Sequence, residues 1–249
     1  MGLIIEKSMS PDWLSNTYLV ADKPGGHAVL VDTGGPTAPI LEAIENLRLT
    51  VTHVLCTHHH IDHVQNNSEY AGRFGCPICG HGSERSLFGD LDQELGHGEE
   101  LVTGGLHIRA LHIPGHTLGQ LAFVVNDEAV FTGDTLFRRT IGGTRGPGHT
   151  TFEDIQHSLL DVLMGLPPAM IVYPGHTDAT TIREEWEENP FIRMWRGVDA
   201  PAEQRCAAFG KPATLILRAQ DYDGGYKCQV RFDAGNKLDI VPGSQVVDL

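Results

Sequence analysis

Short apolar runs along the chain alternate with amphipathic stretches and Gly-rich turns, the pattern of a mixed helix and strand fold. Residues 3–6, 17–22 and 27–32 predict three strands, and Pro24-Gly25-Gly26 turns a hairpin between the last two. Residues 39–47 predict a helix with Ile40, Leu41, Ile44 and Leu47 on one face. Residues 51–56 are apolar and β-branched, as a buried strand requires, and 64–74 read as the helix after it. A short strand over 76–79 is followed by a polar, acidic, Gly-punctuated stretch, 82–105, that predicts a short helix plus an excursion. A strand over 106–113 leads to a hairpin of 121–125 with 129–131 around Asn126-Asp127. A Gly-rich loop fills 138–150. A helix over 151–164 has Thr150 or Thr151 as cap and Glu153 and Asp154 in its first turn. A strand over 170–173 follows, then a helix from 180 that stops before Pro190.

Beyond about residue 200 the character changes. Residues 213–218 and 226–232 read as strands, with turns at 223–225 and 234–236. In the second strand Tyr226, Cys228, Val230 and Phe232 share one face, and Lys227, Gln229 and Arg231 the other. The expected organisation is a main domain over 1–198 with a small β-rich extension of about three strands over 199–249. So small a sheet is marginal alone. It has to pack on the main domain or on a second subunit, which would make a homodimer.

Composition narrows the function classes. The formal charge is 18 − 32 = −14 and no Lys/Arg run stands out. Phosphate binding needs a basic footprint, so nucleic acid is not an expected partner. No run approaches membrane-spanning length, and the first residues lack the basic region of a signal peptide. The expectation is a cytoplasmic protein acting on a small-molecule substrate, with no membrane partner. Five cysteines, an odd number, fit a reducing compartment better than a disulfide framework. Cys76-Pro-Ile-Cys79 has no second ligand pair, so a core strand explains it better than a zinc site.

The chemistry concentrates in Thr57-His58-His59-His60-Ile61-Asp62-His63-Val64. It sits on a loop at the C-terminal end of a predicted strand, where α/β folds place ligands. On an extended turn alternate residues share a side, so His58 and His60 can grip one cation together. Asp62 and His63 fall at the start of the next helix, on another bearing, and can serve a second cation. Imidazole suits zinc, iron and similar metals. Three further candidates, His116, Asp134 and His176, each follow an apolar strand in a turn beside glycine. The tetrapeptide Pro-Gly-His-Thr occurs twice, which suggests two similar halves facing each other. Asp32, in the Gly-rich turn Asp32-Thr33-Gly34-Gly35, is placed to support the metal site from behind.

The ordered set His58-x-His60-x-Asp62-His63, Gly115-His116, Gly133-Asp134 and Gly175-His176 resembles the metallo-β-lactamase fold superfamily over roughly residues 1–190. The resemblance implies an α+β, four-layer αβ/βα sandwich with the site along one sheet edge. Thr57 to His63, Phe131-Thr132-Gly133-Asp134-Thr135-Leu136-Phe137 and Glu187-Glu188-Asn189-Pro190 are most similar to the glyoxalase II-like branch. That pattern implies His58, His60 and His116 on one metal, Asp62, His63 and His176 on a second, and Asp134 bridging both. Two departures matter. Many antibiotic-cleaving members carry Cys at the bridging position, where this chain has Asp134. Full glyoxalase II holds glutathione on a helical C-terminal region, which the β-like tail does not match.

The implied activity is hydrolysis of a thioester or ester-type bond by a hydroxide held between two divalent ions, most simply Zn²⁺, with Fe or Mn as alternatives. Asp62 and Asp134 are the expected catalytic carboxylates, Asp62 orienting the nucleophile and taking up a proton. Arg138, Arg139 and Thr140 are candidate substrate contacts, two of them able to meet a carboxylate or phosphate. Three other readings stay open. A mononuclear iron persulfide dioxygenase would use His58, His116 and Asp134 as a two-His, one-carboxylate triad. A lactone hydrolase would share the dinuclear chemistry. A non-catalytic binding module would have lost ligands.

Overall fold

The computed structural model describes residues 2–249, so Met1, where the expected main domain begins, lies outside the described residues. The first sheet takes its strands in chain order: β1 (Ile4–Met9), β2 (Asn16–Ala21), β3 (His27–Val31), β4 (Thr50–Leu55), β5 (Ile78–Gly80) and β6 (Gln93–Glu94). β1 to β3 form an antiparallel meander, and β3 to β6 run parallel. The parallel crossovers carry α1 (Thr37–Leu47), α2 (Ile61–Val64), α3 (Asn67–Phe74) and α4 (Arg85–Phe88).

The second sheet has the order β14-β13-β10-β9-β8-β7. Its members are β7 (Glu100–Thr103), β8 (Leu106–His112), β9 (Leu121–Val125), β10 (Ala129–Gly133), β13 (Ile171–Pro174) and β14 (Thr180–Thr181). The stretch expected to be a plain Gly-rich loop opens with a small hairpin, β11 (Leu136–Phe137) with β12 (Thr140–Ile141). α5 (Phe152–His157) widens into a π-turn over Ser158–Leu163, and α6 (Ile182–Glu188) and α7 (Pro190–Trp195) follow.

Strand alternation builds the layers. In β2, Tyr18 and Val20 face inward between the sheets, against Phe123 and Phe131 of the second sheet. Leu19 and Ala21 face outward against Ile40 and Ile44 of α1 and Tyr70 of α3. The outer face of the second sheet, Val124, Val130 and Val172, packs on Ile155, Ile182, Phe191 and Ile192. The result is the expected α+β sandwich, with helices outside both sheets.

The tail forms five strands rather than three: β15 (Gln204–Ala208), β16 (Lys211–Gln220), β17 (Tyr226–Phe232), β18 (Leu238–Pro242) and β19 (Val246–Asp248). It is an antiparallel meander whose last strand returns, after a 3₁₀ turn at Gly243–Gln245, to pair with the first. The short turn joins the two edge strands, β18 and β19, and Val241 and Val246 from them share one core, so the sheet curls into a small C-terminal barrel. One face closes its own core of Cys206, Ala213, Leu215, Cys228, Val230 and Val241. From the other face, Ala219 and Ile240 join the helical core outside the second sheet. The Lys227–Gln229 face of β17 is buried too, and Gln229 Oε1 accepts a hydrogen bond from Trp195 Nε1 at 2.7 Å.

Candidate metal centre

Every predicted ligand leaves the C-terminal end of a strand. His58 and His60 follow β4, with Asp62 and His63 in the single turn of α2. His116 follows β8, Asp134 follows β10 and His176 follows β13. Both copies of Pro-Gly-His-Thr therefore leave the second sheet, so the repeat does not mark one copy per facing half. The backbone packs tightly here. A methyl group on Gly175 would fall 2.2 Å from Asp134 Oδ1 and 2.8 Å from His63 Cε1, so that position requires glycine.

The seven side chains converge as two triads around one carboxylate. His58, His60 and His116 bring their donor atoms within 4.8 Å of one another, and Asp62, His63 and His176 do the same. His58 Nε2 and His116 Nε2 each stand 3.0 Å from His60 Nδ1. In the second triad, His63 Nε2 and His176 Nε2 are each 3.5 Å from Asp62 Oδ2. Asp134 lies between them, with Oδ1 3.3 Å from His63 Nε2 and Oδ2 3.2 Å from His176 Nε2 and 3.6 Å from His116 Nε2.

The far side of each histidine ring is tethered. His58 Nδ1 contacts Thr57 Oγ1 at 3.0 Å, and that hydroxyl donates to Asp32 Oδ2 at 2.9 Å. His60 Nε2 donates to Pro147 O, His116 Nδ1 to Gly143 O, His176 Nδ1 to Trp13 O and His63 Nδ1 to Asp32 Oδ2, all at 2.9–3.0 Å. These acceptors take the outward N–H of each ring, so His58, His60 and His116, which burial keeps neutral, present lone pairs inward, whereas His63 between Asp32 and Asp134 also holds a proton on Nε2. Three lone pairs about 3 Å apart repel unless a cation sits among them. His63 Nε2 and Asp134 Oδ1 are buried and face each other at 3.3 Å, a loose contact that leaves both short of a full hydrogen bond among the described residues. A hard-to-borderline divalent cation fits this donor set of imidazoles and carboxylates.

The electrostatics agree. Burial, helped by the charge on His63, pushes His58 well below its usual value; burial also lowers His60 and takes His116 down to about 4. These three are neutral at pH 7, as metal ligation would require. His63 goes the other way: burial opposes its charge, but Asp134 and Asp32 outweigh burial and raise it well above normal. Asp134 is buried, yet His176 and His63 hold it well below the carboxylate range.

The expected substrate contacts are placed less simply. Arg138 is exposed. Arg139 pairs with Glu188 of α6, and its backbone N–H donates to Glu185 Oε2 at 2.9 Å. Thr140 is buried and bonds Asp221 Oδ1 at 3.2 Å. Arg139 and Thr140 are thus committed to α6 and the tail. What lies on the centre instead is Tyr222, whose ring stacks on His176 at 4.4 Å and 17°. Its phenol is raised well above normal by burial and by the charge of Asp134. Lys227, bound to Asp221 at 2.9 Å, stands 5.7 Å from that ring. No motif marks either residue; the only signal is a Tyr just before the Asp-Gly-Gly turn of a strand pair.

An αββα sandwich with His/Asp triads at the strand ends defines a class, and the comparisons place the chain in it. The family model of the metallo-beta-lactamase superfamily matches residues 10–176, and the chain belongs to that family. A hydroxyacylglutathione hydrolase of Bradyrhizobium sp. is 37% identical over 220 residues, covering 82% of this chain and 83% of the relative. Among solved structures, the BLEG-1 B3 metallo-beta-lactamase has a TM-score of 0.70 at 26% identity, covering 76% of this chain and 99% of that one. ETHE1 from Myxococcus xanthus has a TM-score of 0.68 at 30% identity, covering 80% and 92%. Among the described residues no helix is long and apolar enough to cross a membrane.

Proposed function

We propose that the chain is a metal-dependent hydrolase cleaving the thioester or ester-type bond of a small molecule, with a hydroxyacyl thioester as the first substrate class to test. The observation that carries this reading is the pair of triads meeting at Asp134. His58, His60 and His116 would hold one divalent ion, Asp62, His63 and His176 a second, and the two oxygens of Asp134 reach towards both. When bound, such a pair supplies Lewis-acid polarisation of the carbonyl and acidifies a water. The chain does the rest. Asp62, kept ionised by His63 against the effect of burial, accepts a proton as the nucleophile forms. Its carboxylate is about a fifth exposed, open to the substrate side. Tyr222, protonated at neutral pH, offers a donor beside His176.

Zinc is the proposed metal, because imidazole nitrogen and carboxylate oxygen are both donors it takes readily. The relatives support the reaction class: a hydroxyacylglutathione hydrolase is 37% identical to this chain over 220 aligned residues. A lactone hydrolase would use the same groups with a different pocket. The one-iron dioxygenase reading needs only His58, His116 and Asp134, and leaves the convergence of Asp62, His63 and His176 without a role. Metal analysis on protein purified without chelator or affinity tag tests the proposal. Two equivalents of zinc with hydrolysis of a hydroxyacyl thioester are expected. One iron per chain with oxygen uptake on a persulfide overturns it.

A further inference from the structure

The loop over residues 142–149 supplies two of the five acceptors that aim the histidines: Gly143 O for His116 and Pro147 O for His60. Its ends are tied to the sandwich, by Gly142 N–H to Thr135 O at 3.1 Å and Thr150 N–H to Gly115 O at 3.0 Å. Its middle is tied to the C-terminal sheet. Thr144 N–H donates to Ile240 O, and Ile240 N–H donates back to Thr144 Oγ1, both at 3.0 Å. That hydroxyl donates to Asp239 Oδ1 at 2.7 Å, and Arg145 Nη2 meets Asp239 Oδ2 at 2.5 Å. The Arg145 guanidinium also lies 5.1 Å over Phe232 and 5.5 Å over Phe209, aromatic residues of the same barrel or its turns.

Asp239 is 1% exposed. Burying a carboxylate costs free energy that an apolar residue on β18 would avoid, so packing alone does not account for it. Its two close partners do, Thr144 and Arg145 in the loop behind the three-histidine triad; the third, Lys237 on its own segment, is half exposed and stands off at 3.8 Å. The hydrogen-bond tethers of the Asp62–His63–His176 triad, Asp32 and Trp13 O, belong to the sandwich, and nothing in the 142–149 loop orients it.

We propose that Asp239 is a positioning residue for the His58–His60–His116 half of the metal centre. It sets Thr144 and Arg145, and through them the carbonyls that orient His60 and His116. The C-terminal barrel is then part of the metal centre, and within it Asp239 acts on the three-histidine half, while Tyr222 meets the other half at His176. This rests on reading the cluster as a two-metal site.

The test uses Zn²⁺ alone, titrated into metal-free full-length protein in competition with a chromophoric chelator. The variants are Asp239→Ala, Thr144→Val, Thr144→Ser and, as a control, Asp248→Ala. The last removes the Arg218 ion pair at the barrel surface, 2.7 Å long and remote from the loop. Wild type is expected to bind two equivalents. Asp239→Ala and Thr144→Val keep one at wild-type affinity and weaken the other about 10–100-fold, the usual effect of losing a group that orients a ligand. Thr144→Ser retains the hydroxyl and both affinities. If Asp239→Ala does not fold, Thr144→Val carries the test, since it leaves every charge in place.

Both equivalents at wild-type affinity in Asp239→Ala and Thr144→Val overturn the proposal. So does equal weakening of both sites, matched by Asp248→Ala, which would mean a general loss of stability. A wild-type protein that takes up fewer than two equivalents overturns the two-metal reading, and this inference with it.

Discussion

His63 and Asp134 behave as one unit, and two outcomes follow at the scale of single residues. In the metal-free protein His63 carries a proton held by Asp134 and Asp32. A cation on His63 Nε2 must displace that proton. Metal binding therefore releases protons, and affinity rises with pH until the metal-free His63 titrates, above its ordinary value near 6.5. The sign is fixed by direction: a raised pKa means the free form holds more protons than the bound form in that window. Zinc titration in weakly buffered indicator solution should show acid release at pH 7, and a flat pH response would remove the coupling. Asp134→Ala takes away the one carboxylate that both triads share. Metal content should fall to one equivalent or less, and thioester hydrolysis by at least about 100-fold. Full metal and full activity would dismiss the assignment of Asp134. The seven converging side chains were legible because four fall in one six-residue motif and the other three each sit beside glycine after an apolar strand, patterns local in sequence. Tyr222 was not legible, because its place on His176 depends on how the tail docks.

Elements were read well where one local rule governs them and poorly where two compete. Thr151 was a candidate cap and is the cap of α5, in a reciprocal box with Asp154. Thr151→Ala should cost ~1 kcal/mol of stability. In a chain of this length that lowers Tm by about 2–4 °C per kcal/mol. Calorimetry with metal analysis should find the drop and an unchanged stoichiometry. A change in metal content would mean that α5 matters to the centre through Gly115, where an added Cβ would fall 2.4 Å from Ile155 Cβ. Pro190 is the opposite case. It reads as a stop, because proline disfavours helix at the residue before it. The same ring suits the first position of a new helix. Asn189 accepts from the N–H groups of Phe191 and Ile192, so the chain turns and starts α7 at once. Likewise β7 escaped notice because its residues, 100–103, alternate poorly in polarity and pair only at the sheet edge.

For the whole molecule, the question is whether the C-terminal barrel is cargo or component. Its strand pattern was legible, but its strand number and docking face were not. Lys227 and Gln229 look like a solvent face in the sequence, and their bonds to Asp221 and Trp195 make it an interface. The barrel presents Ala219 and Ile240 to the helical core outside the second sheet, where Phe191 and Ile192 lie. Cutting the chain after residue 198 would expose that apolar surface and leave Thr144 and Arg145 without partners. Residues 1–198 expressed alone should bind a hydrophobic dye, associate or precipitate, and hold fewer than two zinc ions. Sizing chromatography with metal analysis reads both. A truncated chain that stays monomeric and takes two equivalents at the affinity of the whole protein would show the sandwich sufficient. The barrel would then be cargo, and its buried Asp239 would need another explanation.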